Sequence, residues 1–130
     1  MASIRKEFPL NAGADEVWDA LGDFGAVHQR LAPGFVIDTK LDGDARIVTF
    51  ANGTSAREVF VARDDENRRL VYTIASERLT HHNASAQVVA ESGGTCRFIW
   101  TTDLLPDEIA PYISAQLELG VAAMKKTFGG

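Results

Sequence analysis

One cysteine, Cys96, stands among 130 residues, so no intrachain disulfide and no CxxC-type metal site is available. Basic residues are also scarce. Lys and Arg number 13 against 18 Asp and Glu, for a formal net charge of −5 and a sequence pI near 5.1. The nearest approach to a basic cluster, Arg68–Arg69, follows Asp64, Asp65 and Glu66. A surface that tracks a nucleic-acid backbone needs clustered Lys and Arg, so no nucleic-acid partner is expected. No apolar run approaches the roughly 18 residues of a membrane span, and the N-terminus lacks the apolar stretch of a signal peptide; a cytoplasmic location is expected. His81 and His82 have no third ligand at a suitable spacing, and the acidic run Asp64-Asp65-Glu66 lacks EF-hand spacing, so neither a metal nor another cofactor is expected. Linkers, low-complexity segments and internal repeats are missing too.

What remains is a chain with 45% hydrophobic and 24% charged residues, the balance of a soluble globular protein. Its length fits one domain over residues 1–130 with one real core. Residues 3–11 alternate weakly (Ile4, Lys6, Phe8, Leu10) and predict a first strand, with Pro9 marking an edge or a bulge. From Ala14 to Phe24, the spacing of Val17, Trp18, Leu21 and Phe24 predicts a helix with Asp15 and Glu16 in its first turn, where the helix dipole favours acids. Gly22 and Gly25 break it, and a short second helical turn is expected up to Leu31. Strands are predicted near 35–41, 45–51, 54–63, 69–78, 82–91 and 95–105, separated by Gly43, Asn52-Gly53, Asp65-Glu66-Asn67 and Ser92-Gly93-Gly94. After Pro106, residues Asp107 to Phe128 predict a long helix with an apolar stripe of Ile113, Leu117, Gly120, Val121, Met124 and Phe128. The order implies an α+β fold in which one curved antiparallel sheet is covered by the C-terminal helix.

The stretch Ala45 to Ile74 carries most of the functional content. A three-residue loop at Ala51-Asn52-Gly53, with glycine last, sets Val48 opposite Ala56 and Arg46 opposite Glu58, an ion pair on one sheet face. A two-residue Asn52-Gly53 turn is the rival, and its one-residue slip would split the pair. The first register is preferred because it joins opposite charges. A following turn centred on Glu66 sets Asp64 opposite Arg68, Phe60 opposite Tyr72 and Glu58 opposite Ile74. The inner face then carries Arg46, Val48, Phe50, Ala56, Glu58, Phe60, Tyr72 and Ile74, while Arg57 and Arg63 mark the solvent face. The next strand is lean, with His82, Ala84, Ala86 and Val88 on one side. The two alanines, facing a helix stripe with Gly120 at its middle, suggest unfilled volume. Trp100, Leu117, Val121 and Met124 complete the candidate lining.

Each polar candidate has a plainer reading. Arg46 and Glu58 are suited to anchoring a polar head group, arginine matching carboxylates and phosphates, or to tying two strands together. Tyr72 offers a hydrogen bond to a ligand or simple aromatic packing. Adjacent strand residues face opposite ways, so at most one of His81 and His82 reaches the inside. His82 is the candidate for proton transfer beside Glu58, against an exposed or loop-packed histidine. His28 suits a cavity mouth or simple exposure. Trp18, Trp100 and Cys96 read as core residues.

Ala14-Asp15-Glu16-Val17-Trp18, Asp23-Phe24-Gly25, Arg46 before Asn52-Gly53, Glu58 followed by Asp64, Arg68 and Tyr72, then Trp100 and Gly120-Val121, occur here in an order and spacing that resembles the START and birch-pollen-allergen-like (SRPBCC) superfamily, within it the bacterial polyketide cyclase/dehydrase type 2 group. The resemblance covers essentially the whole chain. It implies a helix-grip fold: a curved seven-stranded antiparallel sheet wrapped around a long C-terminal helix, two short helices after the first strand, and a hydrophobic cavity. It implies a hydrophobic or aromatic small molecule as partner, such as a lipid or polyketide. In the similar plant abscisic-acid receptors a glutamate matching Glu58 faces the ligand. This chain departs in having Gln29-Arg30-Leu31 where many bacterial members carry a tryptophan, and in a minimal loop from Ala51 to Thr54 where the receptors have a longer gate. Three functions follow as expectations: binding, transport or sensing of a hydrophobic or amphipathic molecule; a cyclase-, dehydratase- or hydrolase-like enzyme using Glu58, Tyr72 and His82; or a partner-binding module with a vestigial cavity. A monomer or weak homodimer fits each.

Overall fold

The computed structural model describes residues 1–130. Strands β1 (Ala2–Leu10), β2 (Val36–Asp42), β3 (Ala45–Phe50), β4 (Ser55–Asp64), β5 (Arg69–Ala75), β6 (His81–Ala90) and β7 (Cys96–Leu105) form one antiparallel sheet in the order β1-β7-β6-β5-β4-β3-β2. Helix α1 (Ala14–Gly22) follows β1, a single π-type turn spans Val27–Leu31, and helix α2 (Ala110–Phe128) closes the chain. This is the helix-grip arrangement. Strands β2 to β7 pair with their sequence neighbours, as short turns require. Only β1 crosses over, to pair with β7. Its edge position accommodates Pro9, which has no N–H to give to a ladder.

Helix α1 buries Val17, Trp18 and Leu21 together with Ala14 and Ala20. It stops at Gly22 rather than reaching Phe24; Asp23 leaves helical geometry, and its carboxylate accepts a hydrogen bond from Arg30 at 2.9 Å. Helix α2 starts three residues later than expected, after a short 3-10 turn at Asp107–Ile109, which leaves Pro111 in its first turn, where a missing N–H is harmless. Leu117, Gly120, Val121 and Met124 are its buried positions. They close over a core that includes Phe8, Leu10, Leu70, Val88 and Phe98, with Phe8 and Phe98 stacked at 5.3 Å between centroids. Cys96 is part of this core, and burial pushes its thiol pKa up.

The β3–β4 hairpin adopts the three-residue-loop register. Arg46 pairs with Glu58 and Val48 with Ala56, and Gly53 takes the left-handed conformation at φ +88° that the loop demands. The next hairpin departs from expectation. Glu58 does face Ile74 and Phe60 does face Tyr72, but the register then shifts between Phe60 and Ala62, so Asp64 pairs with Arg69 instead of Arg68. Arg68 sits in the turn itself at φ 50°. There Asp64 accepts hydrogen bonds from the Asn67 backbone N–H at 3.1 Å and from its Nδ2 at 2.8 Å. The residue inserted at Val61 makes a bulge, and a bulge exchanges the two faces beyond it. Arg63, expected among the solvent-facing residues, therefore turns toward α1. Its guanidinium lies 4.9 Å from the Trp18 ring centroid, and its Nη1 donates to the Gly22 carbonyl at 2.8 Å.

Candidate functional site: a cavity between sheet and helix

A cavity of about 270 Å³ lies between the concave sheet face, α2 and the segment from Val27 to Val36, and 21 of its 31 lining residues are hydrophobic. That lining matches small-molecule pockets, whose apolar walls hold a few placed polar groups. The volume is near the lower end of the roughly 300–1,000 Å³ usual for such sites. A cavity of roughly 150 Å³ holds benzene, so the space here suits one or two rings rather than a long lipid.

The polar groups of the wall come from three neighbouring strands. Arg46 on β3 donates from Nε to Oε1 of Glu58 on β4 at 2.8 Å, and its Nη2 lies 2.7 Å from the same oxygen in an ion pair. Its Nη1 donates to the Phe24 carbonyl at 3.2 Å. The guanidinium carbon lies 4.0 Å from the Phe24 ring centroid and 5.4 Å from that of Tyr72. Arginine is suited to this double role of ion pairing and stacking on aromatic faces. Both partners are buried, yet Glu58 Oε2 receives no hydrogen bond. Tyr72 on β5, the diagonal neighbour of Glu58, accepts a hydrogen bond from Trp100 Nε1 at 3.1 Å and has no acceptor for its own proton. Burial, followed by the nearby Glu58 charge, raises the Tyr72 pKa well above its ordinary value, so the phenol stays a neutral donor.

His82 reaches the same cavity from β6 and is buried, unlike the exposed His81. Its Nδ1 accepts the Ile74 backbone N–H at 2.9 Å, which puts the ring proton of the neutral form on Nε2. No hydrogen bond engages that Nε2. Burial, and secondarily the charge of His81, lowers the His82 pKa to about 4, so the ring is neutral at physiological pH. The cavity wall thus includes a carboxylate oxygen, an O–H and an N–H that no hydrogen bond engages. No group of three or more His, Cys, Asp or Glu side chains converges as a metal site.

Val48, Phe50, Ile74, Ala86, Trp100, Leu117 and Met124 join Arg46, Glu58, Tyr72 and His82 in the wall. Four expected lining residues lie outside it. Phe60, next to the bulge, is 37% exposed and sits edge-on to Phe24 at 6.0 Å. Ala84 pairs with Tyr72 and Thr102, and its single methyl is buried between those larger side chains. Val121 turns toward β1, near Lys6 and Phe8. Gly120 leaves no vacancy. A Cβ placed there would come within 2.9 Å of Trp100 Cζ3 and 3.2 Å of Phe35 Cε2, so those two rings already occupy the space beside the helix.

A family model described as polyketide cyclase / dehydrase and lipid transport matches residues 1–129. The chain belongs to that family. It is an SRPBCC protein, and its solved structural relatives share the helix-grip fold. A Thermobifida fusca protein is 31% identical, with a TM-score of 0.74 over 93% of this chain and 85% of its own. A Bacillus thuringiensis protein is 19% identical, with a TM-score of 0.86 over 98% of each chain. Norcoclaurine synthase from Thalictrum flavum, solved with dopamine and hydroxybenzaldehyde, is 23% identical, with a TM-score of 0.73 over 96% of this chain and 84% of its own. No curated protein matches the chain in a sequence search.

In this SRPBCC cavity, the wall residues that the sequence pattern did not indicate come mostly from irregular segments. Val27, Leu31 and Phe35 arrive with the π-type turn and the loop after it, Arg78 and Leu79 with the β5–β6 loop, and Ile109 and Tyr112 with the start of α2. Thr54 and Ser55 of the β3–β4 turn are also in the wall. Such segments carry no periodicity to read. Thr102 is different, because it alternates with Trp100 along β7 and was accessible from the strand pattern.

Proposed function

We propose that the protein binds a hydrophobic or amphipathic small molecule in this cavity, its apolar body among Val48, Phe50, Ile74, Leu117 and Met124 and its polar end at Glu58, Tyr72 and His82. One observation carries this reading: an apolar cavity of about 270 Å³ whose wall includes Glu58, Tyr72 and His82, three buried side chains that each keep hydrogen-bonding capacity unused. Buried polar groups without partners are costly, and a ligand bearing complementary groups removes that cost. Family membership supports the same reading.

Arg46 has a supporting part. Its ion pair with Glu58, its bond to Phe24 and its aromatic neighbours hold the carboxylate in place. Acid–base catalysis is less well served. A histidine with a pKa of about 4 is a weak base at neutral pH, and the Tyr72 proton is held more tightly than in water. The groups suit holding a polar atom better than moving a proton.

The test is a thermal-shift screen of the purified protein against fatty acids, sterols and aromatic polyketides, including alcohols and phenols of one or two rings. A ligand at a hundred times its Kd adds about 2.7 kcal/mol of stability. A hit lost in Leu117→Trp, which fills the cavity, supports the site. A screen in which nothing raises the melting temperature counts against binding.

A further inference from the structure

The cavity reading leaves open what kind of polar group belongs at its inner end, and the hydrogen-bond pattern there is specific. Resting on that reading, we infer that the inner end recognises a neutral hydroxyl, an alcohol or phenol, and discriminates against carboxylates. The free groups are of two kinds. Glu58 Oε2 can only accept, whereas Tyr72 Oη and His82 Nε2 can donate. A hydroxyl does both through one atom, giving its proton to Glu58 and accepting from Tyr72 or His82. An ether or ketone can only accept and leaves Glu58 unmet. An ammonium can only donate and leaves both donors unmet.

A carboxylate meets a further obstacle. The cation that would attract it, Arg46, is already paired with Glu58 through a hydrogen bond and a close ion-pair contact, and is bonded to the Phe24 carbonyl. A second carboxylate would sit beside Glu58 in a buried site where like charges repel strongly. The other lining cations are no substitute. Arg57 is paired with Asp42. Arg78 is exposed on the β5–β6 loop, where solvent screens its charge.

The experiment is calorimetric titration of the full chain at neutral pH with four probes sharing one apolar body: naphthalene, 2-naphthol, its methyl ether and 2-naphthoate. The naphthol is expected to bind about tenfold or more tighter than naphthalene and the ether, and tighter still than the naphthoate. Tyr72→Phe, which keeps the ring, should reduce the naphthol advantage over naphthalene several-fold. Glu58→Gln should abolish the advantage and raise naphthoate affinity, since Arg46 then lacks its counter-charge. If Glu58→Gln does not fold, Tyr72→Phe and the wild-type ranking still decide. Equal binding of naphthalene and naphthol, or tighter binding of naphthoate, overturns the hydroxyl inference while leaving the cavity reading intact. Binding of none of the four overturns both.

Discussion

Glu58→Ala would strand the Arg46 guanidinium in a site where the wild-type pair is almost wholly buried, with side-chain exposures of 5% and 9%. Breaking a buried ion pair from one side typically costs about 3–5 kcal/mol, because the remaining charge has lost its counter-ion without regaining water. Here the bond to the Phe24 carbonyl and the contact with the Phe24 ring survive the substitution, and water can enter the adjoining cavity. The lower end, about 3 kcal/mol, is therefore expected. With an m-value of about 2 kcal/mol per molar urea, that lowers the unfolding midpoint by roughly 1.5 M. The double variant Arg46→Met with Glu58→Leu removes both charges and retains bulk. Replacing a whole buried pair by packed apolar residues is often neutral or stabilising, so its unfolding free energy should return to within about 1 kcal/mol of wild type. Urea unfolding followed by far-UV circular dichroism measures all three proteins. A loss below about 1 kcal/mol in Glu58→Ala, or a double variant no more stable than the single, would refute the description of this pair as an isolated buried charge couple.

Two further outcomes follow from the geometry. His82 has a folded pKa of about 4 against an ordinary 6.5. The unfolded chain therefore binds that proton first on acidification, and the stability His82 contributes is full above pH 6.5 and is lost as pH falls toward 4, with a ceiling of about 3 kcal/mol. His82→Asn, whose carbonyl can still accept the Ile74 N–H, should flatten the urea midpoint across that window; an unchanged slope would assign the acid sensitivity elsewhere. Gly120→Ala gains about 1 kcal/mol of helix propensity, but its Cβ would meet Trp100 at 2.9 Å and Phe35 at 3.2 Å, an overpacking cost of about 1–3 kcal/mol. A net lower melting temperature is expected, and a rise would show that the two rings can move aside.

The sequence was most legible where two independent constraints agreed. Glycine at the end of a three-residue loop and the pairing of Arg46 with Glu58 both demanded one register, and that register is present. The β4–β5 turn had no such check. Arg68 and Arg69 are equally good electrostatic partners for Asp64, and a bulge at Val61 has no composition of its own. Gly120 was misread for a different reason. A glycine on a helix stripe can mark empty space or the close approach of something large, and only the tertiary fold shows that Trp100 and Phe35 are there. The strand pattern put Arg46, Glu58, Tyr72 and His82 on the inner face, and all four line the cavity, but which hydrogen bonds would be used up, and hence that Arg46 is occupied, depends on angles that residue types do not encode.

Trp100 is held at both ends: its Nε1 donates to the Tyr72 hydroxyl, and the far edge of its indole rests on Gly120. The chain's other tryptophan, Trp18, lies outside the cavity wall, bonded to Asp65 and covered by Arg63. One indole therefore shares its hydrogen-bond partner with any molecule that engages Tyr72, while the other is insulated from it. This placement makes an optical gauge available: the emission colour of Trp100 is expected to shift with the polarity and occupancy of the cavity, with Trp18 as the reference.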